Sequence, residues 1–236
     1  MLRSTVLNIV IFLSSTVIVL AGTLFLKCSE SAVYKYWFAF SRIYSWIVRR
    51  VGGINYKIEN PENMQTSGPV IYAIRHESMW ETLAFISFFE KPVFIMKKEL
   101  EEIPIFGSLA ARVHSIFVDR EQGVKALIEA SRKVFEMLND NRQIIIFPEG
   151  SRIPSGQYVP LKRGIALFYK KNNCHVIPVI HNSGKFWARR SFTKNTGVIT
   201  VKFMPPIPAG LSQDEFMDKL NHIFRTEIEK LSRQEN

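Results

Sequence analysis

The chain has 236 residues, 47% of them hydrophobic and 22% charged, with 31 Lys and Arg against 21 Asp and Glu. That composition excludes a disordered chain, a collagen-like chain and a multi-span membrane protein, and it suits one medium domain with a short appendage. The surplus of ten positive charges favours anionic partners (phosphate ligands, anionic lipid or nucleic acid), while two cysteines, Cys28 and Cys174, are too few for a disulfide framework or a structural zinc site.

Thr5 to Leu26 carries no charged residue, a stretch long enough to cross a hydrocarbon core of ~30 Å as a helix. A cleaved signal peptide is the rival. It would need a shorter apolar region and a small-residue cleavage site, and apolar Leu24, Phe25 and Leu26 follow the VLAG stretch instead. Residues 31–51 interleave Tyr34, Tyr36, Trp37, Phe38, Phe40, Tyr44 and Trp46 with Lys35, Arg42, Arg49 and Arg50. Aromatic and basic residues together favour a membrane interface, and the plainer alternative is an aromatic core helix. Arg3 alone precedes the apolar stretch, and several basic residues follow it. The positive-inside rule therefore puts residue 27 onward on the cytoplasmic side. Residues 1–52 are expected to form the anchor and interfacial helices, and residues 53–236 one domain.

In that domain, short apolar runs alternate with helical patterns. Strands are expected near Tyr56–Ile58, Val70–Ile74, Val93–Met96, Ser115–Val118, Ile144–Phe147, Val176–Ile180 and Val198–Phe203. Helices are expected over Trp80–Phe89, Ile105–Ala111, Gly123–Leu138, Ile165–Lys171 and from the Ser212-x-x-Glu215 capping box to about Leu231. The alternation predicts an α/β fold, a mostly parallel sheet flanked by helices, with ligands beyond the carboxyl ends of its strands.

Four segments that follow strands carry the polar residues. In the first, Arg75-His76-Glu77-Ser78-Met79-Trp80-Glu81, Glu81 can orient the His76 imidazole so that its other nitrogen takes a proton from a hydroxyl. Ser78-x-x-Glu81 is equally a capping box. The second is Phe147-Pro148-Glu149-Gly150-Ser151-Arg152, where Gly150 permits close backbone approach and Ser151 and Arg152 offer hydroxyl and guanidinium to a phosphate. The third, Met96 to Gly107, contains Lys97-Lys98 among three glutamates and reads equally as a solvated charge run. Arg120 follows the strand ending at Val118. The fourth is Val176-Ile177-Pro178-Val179, which can wall an acyl pocket, although a plain buried strand explains it better. His76, His114, His175, His181 and His222 are scattered and form no ligand motif, so no metal is expected.

Taken in order, the four segments resemble the blocks of the glycerophospholipid acyltransferase family, in particular its bacterial lysophosphatidic acid acyltransferases. The matching residues are His76…Glu81, Lys97-Lys98-Glu99-Leu100…Pro104-Ile105-Phe106-Gly107, Phe147-Pro148-Glu149-Gly150-Ser151-Arg152 and Val176-Ile177-Pro178-Val179. The resemblance covers about residues 55–205. It departs at position 81, where the family's Asp is Glu, and at Ser151, where Thr is common. It implies His76 as general base on the sn-2 hydroxyl of lysophosphatidic acid and Glu81 as its partner. It further implies that Glu149, Gly150, Ser151 and Arg152 hold the glycerol phosphate, with Lys97 and Arg120 as further contacts. Acyl-CoA or acyl carrier protein would be the co-substrate, with no other cofactor. The implied setting is the cytoplasmic side of a bacterial inner membrane.

Other readings fit less well. No nucleic-acid module is visible and the basic residues are dispersed, so a nucleic acid is not an expected partner. A serine hydrolase would need a Gly-x-Ser-x-Gly elbow, which the chain lacks. The near alternative is an acyltransferase for another lysophospholipid or an ornithine-type lipid. A non-catalytic basic membrane-binding protein is the distant one.

Overall fold

A computed structural model describes residues 1–233, apart from the side chain of Arg120. Seven strands form its centre: β1 (Ile54–Glu59), β2 (Val70–Ile74), β3 (Pro92–Lys97), β4 (Ile116–Val118), β5 (Gln143–Ile146), β6 (Val176–His181) and β7 (Gly197–Phe203). Their order across the sheet is β1-β7-β6-β2-β5-β3-β4. The five strands from β6 to β4 are parallel. β7 runs antiparallel to β6, and β1 is parallel to β7, so this edge pair opposes the rest. Parallel strands covered on both faces read as unbroken apolar runs, and β2, at the centre, is Val-Ile-Tyr-Ala-Ile with every residue buried.

Successive strand residues face opposite sides of the sheet, and the core divides accordingly. Tyr72, Ile74, Ile145, Ile177, Val179 and Phe203 pack on one face with α2 (Glu30–Arg50) and α3 (Trp80–Ala84). Ile71, Ala73, Ile144, Ile146, Val176 and Ile180 pack on the other with α5 (Gly123–Asn139), α6 (Gly164–Asn172) and α8 (Gln213–Arg233). The capping box that opens α8 is reciprocal: Ser212 N–H donates to Glu215 at 2.8 Å and Glu215 N–H to the Ser212 hydroxyl at 3.2 Å. The helix expected over Trp80–Phe89 is shorter, ending at Ala84 and tightening into a 3₁₀ turn over Phe85–Ser87. Short α4 (Phe106–Arg112) packs so closely that a Cβ at Gly107 would lie 1.9 Å from the Glu101 carbonyl oxygen. That contact explains the glycine of the third segment.

The boundary drawn at residue 52 does not separate two cores. α2 is amphipathic, and its Val33, Tyr34, Trp37, Tyr44 and Val48 belong to the core beneath the sheet. The Ser41 hydroxyl donates to the Leu83 carbonyl at 2.7 Å. Of its seven aromatic residues only Trp46 is exposed, so core packing accounts for most of the aromatic density read as interfacial. Before it, Leu2–Phe25 is long and apolar enough to cross a membrane by length and composition. Within this stretch, α1 (Leu2–Gly22) rests on the body at both ends. At its start Arg3 donates to the Val51 carbonyl at 2.9 Å, and Ser4 exchanges hydrogen bonds with the Lys194 backbone. At its end Gly22 abuts Leu109 and Ile105, and Phe25 stacks on Tyr36. Ile9, Phe12, Leu13, Val17 and Leu20 remain exposed along it.

Candidate active site

β2 delivers Arg75 and His76 to the carboxyl edge of the sheet, and α3 begins at Trp80. Glu81 therefore lies in the first turn of α3, and its Oε1 is 2.9 Å from His76 Nδ1. The same oxygen accepts from the backbone N–H of Glu77 at 2.9 Å and of Ser78 at 2.7 Å. This carboxylate makes the glutamate half of the capping box, by accepting from the Ser78 N–H, and it orients the imidazole as well. Its other oxygen accepts from the hydroxyls of Ser78 and Ser183, the latter at 2.8 Å. Ser183 opens α7 (Ser183–Phe186), directly after β6. Burial alone would push the Glu81 pKa up. Hydrogen bonds donated by His76 and Ser78 outweigh it and bring the pKa to about 2. With Nδ1 donating to a carboxylate, the imidazole offers Nε2 as a proton acceptor, and among the described residues Nε2 makes no hydrogen bond.

The loop after β5 grips His76 on several sides. Phe147 stacks on the imidazole at 4.2 Å. Ile153 N–H donates to the His76 carbonyl at 2.8 Å, and His76 N–H donates to Glu149 Oε1 at 3.4 Å. Beneath this lies a buried ionic cluster. Arg75 pairs with Glu77 at 2.5 Å and Glu149 at 3.5 Å, and donates to the carbonyls of Pro154 at 3.1 Å and Gln157 at 2.7 Å. Glu77 accepts from Gly184 N–H at 2.7 Å. His181 Nε2 donates to the Arg75 carbonyl at 2.7 Å, while its Nδ1 accepts from Ser183 N–H at 3.3 Å. Those contacts fix a neutral ring, consistent with burial pushing its pKa down. Two carboxyls share one guanidinium here. Burial raises Glu77, and it carries Glu149 up to about 8 against the opposing charge of Arg75.

The other expected site residues separate into groups. Arg152 follows β5, the neighbour of β2, so it shares the edge that carries His76. It is half-buried, and its Nε is buried and has no hydrogen-bond partner among the described residues. Gly150 takes φ +73°, a conformation that suits glycine, and Ser151 is exposed. Glu149 is a correction to the phosphate set. Its carboxyl lies in the buried cluster against Arg75 and His76 N–H, where it holds the loop rather than a substrate anion. Lys97 ends β3 at the same sheet edge and is exposed. The Arg120 side chain lies outside the described residues. Val176, Ile177, Pro178 and Val179 are all buried in the middle of the sheet, on β6 between β2 and β7.

Arg75, Glu77, Ser78, His181 and Ser183 were not singled out as site residues from sequence. A signal was present, since charged residues at the exit of an entirely apolar strand must find partners when buried. Those partners come partly from the loop after β5, through Glu149, Pro154 and Gln157, and partly from the turn 181–184, which reads locally as an ordinary Asn-Ser-Gly turn.

Comparison with known proteins fits this geometry. A family model described as "Acyltransferase" matches residues 55–182. A 1-acyl-sn-glycerol-3-phosphate acyltransferase of Pseudomonas aeruginosa is 34% identical over 164 residues, covering 70% of this chain and 63% of that protein. One from Limnanthes douglasii is 28% identical over 186 residues, covering 77% of this chain and 64% of its own length. The chain thus spans slightly less than two thirds of these relatives. The crystal structure of the 1-acyl-sn-glycerophosphate acyltransferase of Thermotoga maritima has the same fold, with a TM-score of 0.80 at 22% identity over 98% of this chain and 97% of that one. The match to more than half of the chain, on the segment that carries His76, Glu81 and Arg152, places it in the acyltransferase family.

Proposed function

We propose that the chain transfers an acyl group from a thioester, acyl-CoA or acyl carrier protein, to the free sn-2 hydroxyl of lysophosphatidic acid, giving phosphatidic acid. The observation that carries this reading is the His76–Glu81 pair, with Nε2 free, on the same sheet edge as Arg152. His76 Nε2 takes the hydroxyl proton as the oxygen attacks the thioester carbonyl. The C–O bond forms, the C–S bond breaks, and the imidazolium returns its proton to the departing thiolate. Glu81, as a carboxylate, stabilises the imidazolium between these steps. Arg152, whose half-buried guanidinium follows β5 at this edge, is the phosphate ligand of this reading. Ser151, Gly150 and Lys97 are the further contacts it proposes. The step balances without a metal or redox cofactor.

Such an acceptor lies in a bilayer, and the exposed apolar length of α1 supports an enzyme that works there. In this reading the protein belongs to a bacterial inner membrane, with residues 27 onward on the cytoplasmic side, where basic residues meet anionic lipid. The test is acyl transfer by the purified, detergent-solubilised chain from labelled acyl-CoA, and separately from acyl carrier protein, to lysophosphatidic acid and a panel of other lysolipids. Phosphatidic acid should form, and His76→Ala should lose about 10²–10⁴-fold or more of the rate. Transfer to a different lysolipid alone would keep the chemistry and change the acceptor. Near-normal turnover by His76→Ala would remove the base from the mechanism.

A further inference from the structure

The positive charge of this chain is concentrated in one stretch. From Gly150 to Gln213 there are ten Lys and Arg and no Asp or Glu. Within that stretch, the turn over residues 188–194 joins α7 to β7. Arg189 and Arg190 are exposed on it, and Phe192 is 56% exposed.

The turn holds this phenylalanine out on a braced frame. Ser191 N–H donates to the Ala188 carbonyl at 3.2 Å, and the Ser191 hydroxyl to the Thr193 carbonyl at 3.0 Å. The Lys194 ammonium donates to the Ser191 and Phe192 carbonyls at 2.6 and 3.2 Å, and lies 5.1 Å from the centre of the Trp187 ring. A single exposed apolar side chain is ordinary on a protein surface. What sets Phe192 apart is its neighbour. Asn8 of α1 donates to the Phe192 carbonyl at 2.9 Å, and Ser4, one turn earlier, is bonded to the Lys194 backbone. Ile9 and Phe12, next along α1, are 53% and 71% exposed. The apolar face of α1 therefore continues onto the turn, with two arginines at its border. On its other side the turn reaches the phosphate-binding segment, where Arg189 Nη1 is 3.5 Å from the Arg152 carbonyl.

We propose that the 188–194 turn is a second membrane-contact surface, with Phe192 entering the interface of an anionic bilayer beside α1 and Arg189 and Arg190 pairing with the surrounding lipid phosphates. An aromatic ring favours the headgroup level, and basic side chains add attraction to anionic lipid. The inference rests on the reading that the chain works at a bilayer. It adds a fixed contact between that bilayer and the segment that carries Arg152.

The test uses the full chain with Cys28→Ser and Cys174→Ser, and a single spin-labelled cysteine placed in turn at Phe192, Val17 and Lys219. Each protein is bound to phosphatidylcholine vesicles containing phosphatidylglycerol. Collisions with oxygen, which partitions into lipid, are compared with collisions with a water-soluble nickel complex. The label at 192 should favour oxygen, as the label at 17 does, while the label at 219 on the exposed face of α8 favours nickel. A nickel-favouring label at 192 beside an oxygen-favouring label at 17 overturns the turn's role and leaves the bilayer reading standing. Nickel-favouring labels at both positions overturn both. As a second measurement, Arg189→Gln with Arg190→Gln should raise the KM for vesicle-borne acceptor by about fivefold per arginine, and an unchanged KM removes the arginines from the surface.

Discussion

Glu81 receives hydrogen bonds from two parts of the chain: His76, Glu77 and Ser78 of the loop after β2, and Ser183 of the turn after β6. A buried carboxylate tolerates such a site only when its lone pairs are filled. Ser183→Ala removes one of the fillers, and hydrogen bonds to charged groups are worth about 1.5–3 kcal/mol. Chemical denaturation of that variant should show a loss in this range, with Ser183→Thr recovering part of it. Glu149 gives a separate test through pH. Its folded pKa is raised to about 8 from the ordinary 4.5, so the folded state holds a proton that the unfolded state has released. Its contribution to stability therefore falls as pH rises between those two values. Glu149→Gln removes that slope. Thermal melts from pH 5 to 8 should show the wild type losing Tm relative to the variant, and parallel curves would contradict the assignment. The residues themselves were legible in unequal measure. His76, Glu81 and Arg152 stand in spaced blocks that the chain displays locally. Ser183 and His181 reach the site only because β6 lies beside β2, and nothing in their own neighbourhood announces that.

Helix α2 carries the largest difference between expectation and structure at the level of elements. Its aromatic and basic residues suit an interface, but periodicity alone does not say whether an apolar face meets lipid or protein. Here the face meets protein: Trp37 packs edge-on against Phe106, and Tyr44 lies against Trp187. Removing a buried tryptophan costs about 3–5 kcal/mol, so Trp37→Ala should lower stability by that order in denaturant titrations. Deleting residues 1–52 should give a product that fails to unfold cooperatively, because the deletion strips one side of the core. The strands were legible to within a residue or two, since most are short apolar runs closed by turn residues and the edge pair β1 and β7 alternates apolar with polar residues. The early end of α3 was less so, because 85–89 continues the apolar pattern without a stop signal.

At the scale of the whole molecule, alternation of strand and helix points to a mostly parallel sheet. It does not reveal that β1 and β7 run against the other five strands. That reversal depends on β7 pairing with β6 through a connection that contains α7 and the basic turn. Deleting residues 1–27 separates the body from its most apolar helix while leaving α2 in place. The product should stay folded by circular dichroism and co-sediment with anionic vesicles less than the full chain does. Undiminished sedimentation would transfer the membrane contact to α2 and the basic turn.

The two attachments of α1 have a mechanical consequence. A helix tied at one end is a tether, and a domain on a tether samples many heights and tilts above a bilayer. α1 is fastened near Ser4 and again near Gly22, so body and helix move as one piece. When α1 lies in lipid, the elevation of the imidazole above the acyl chains is a constant of the structure instead of an average over swinging. On the proposed function, an acceptor confined to the same leaflet then needs only lateral diffusion to arrive in register, and the encounter takes place at an effective concentration fixed by geometry.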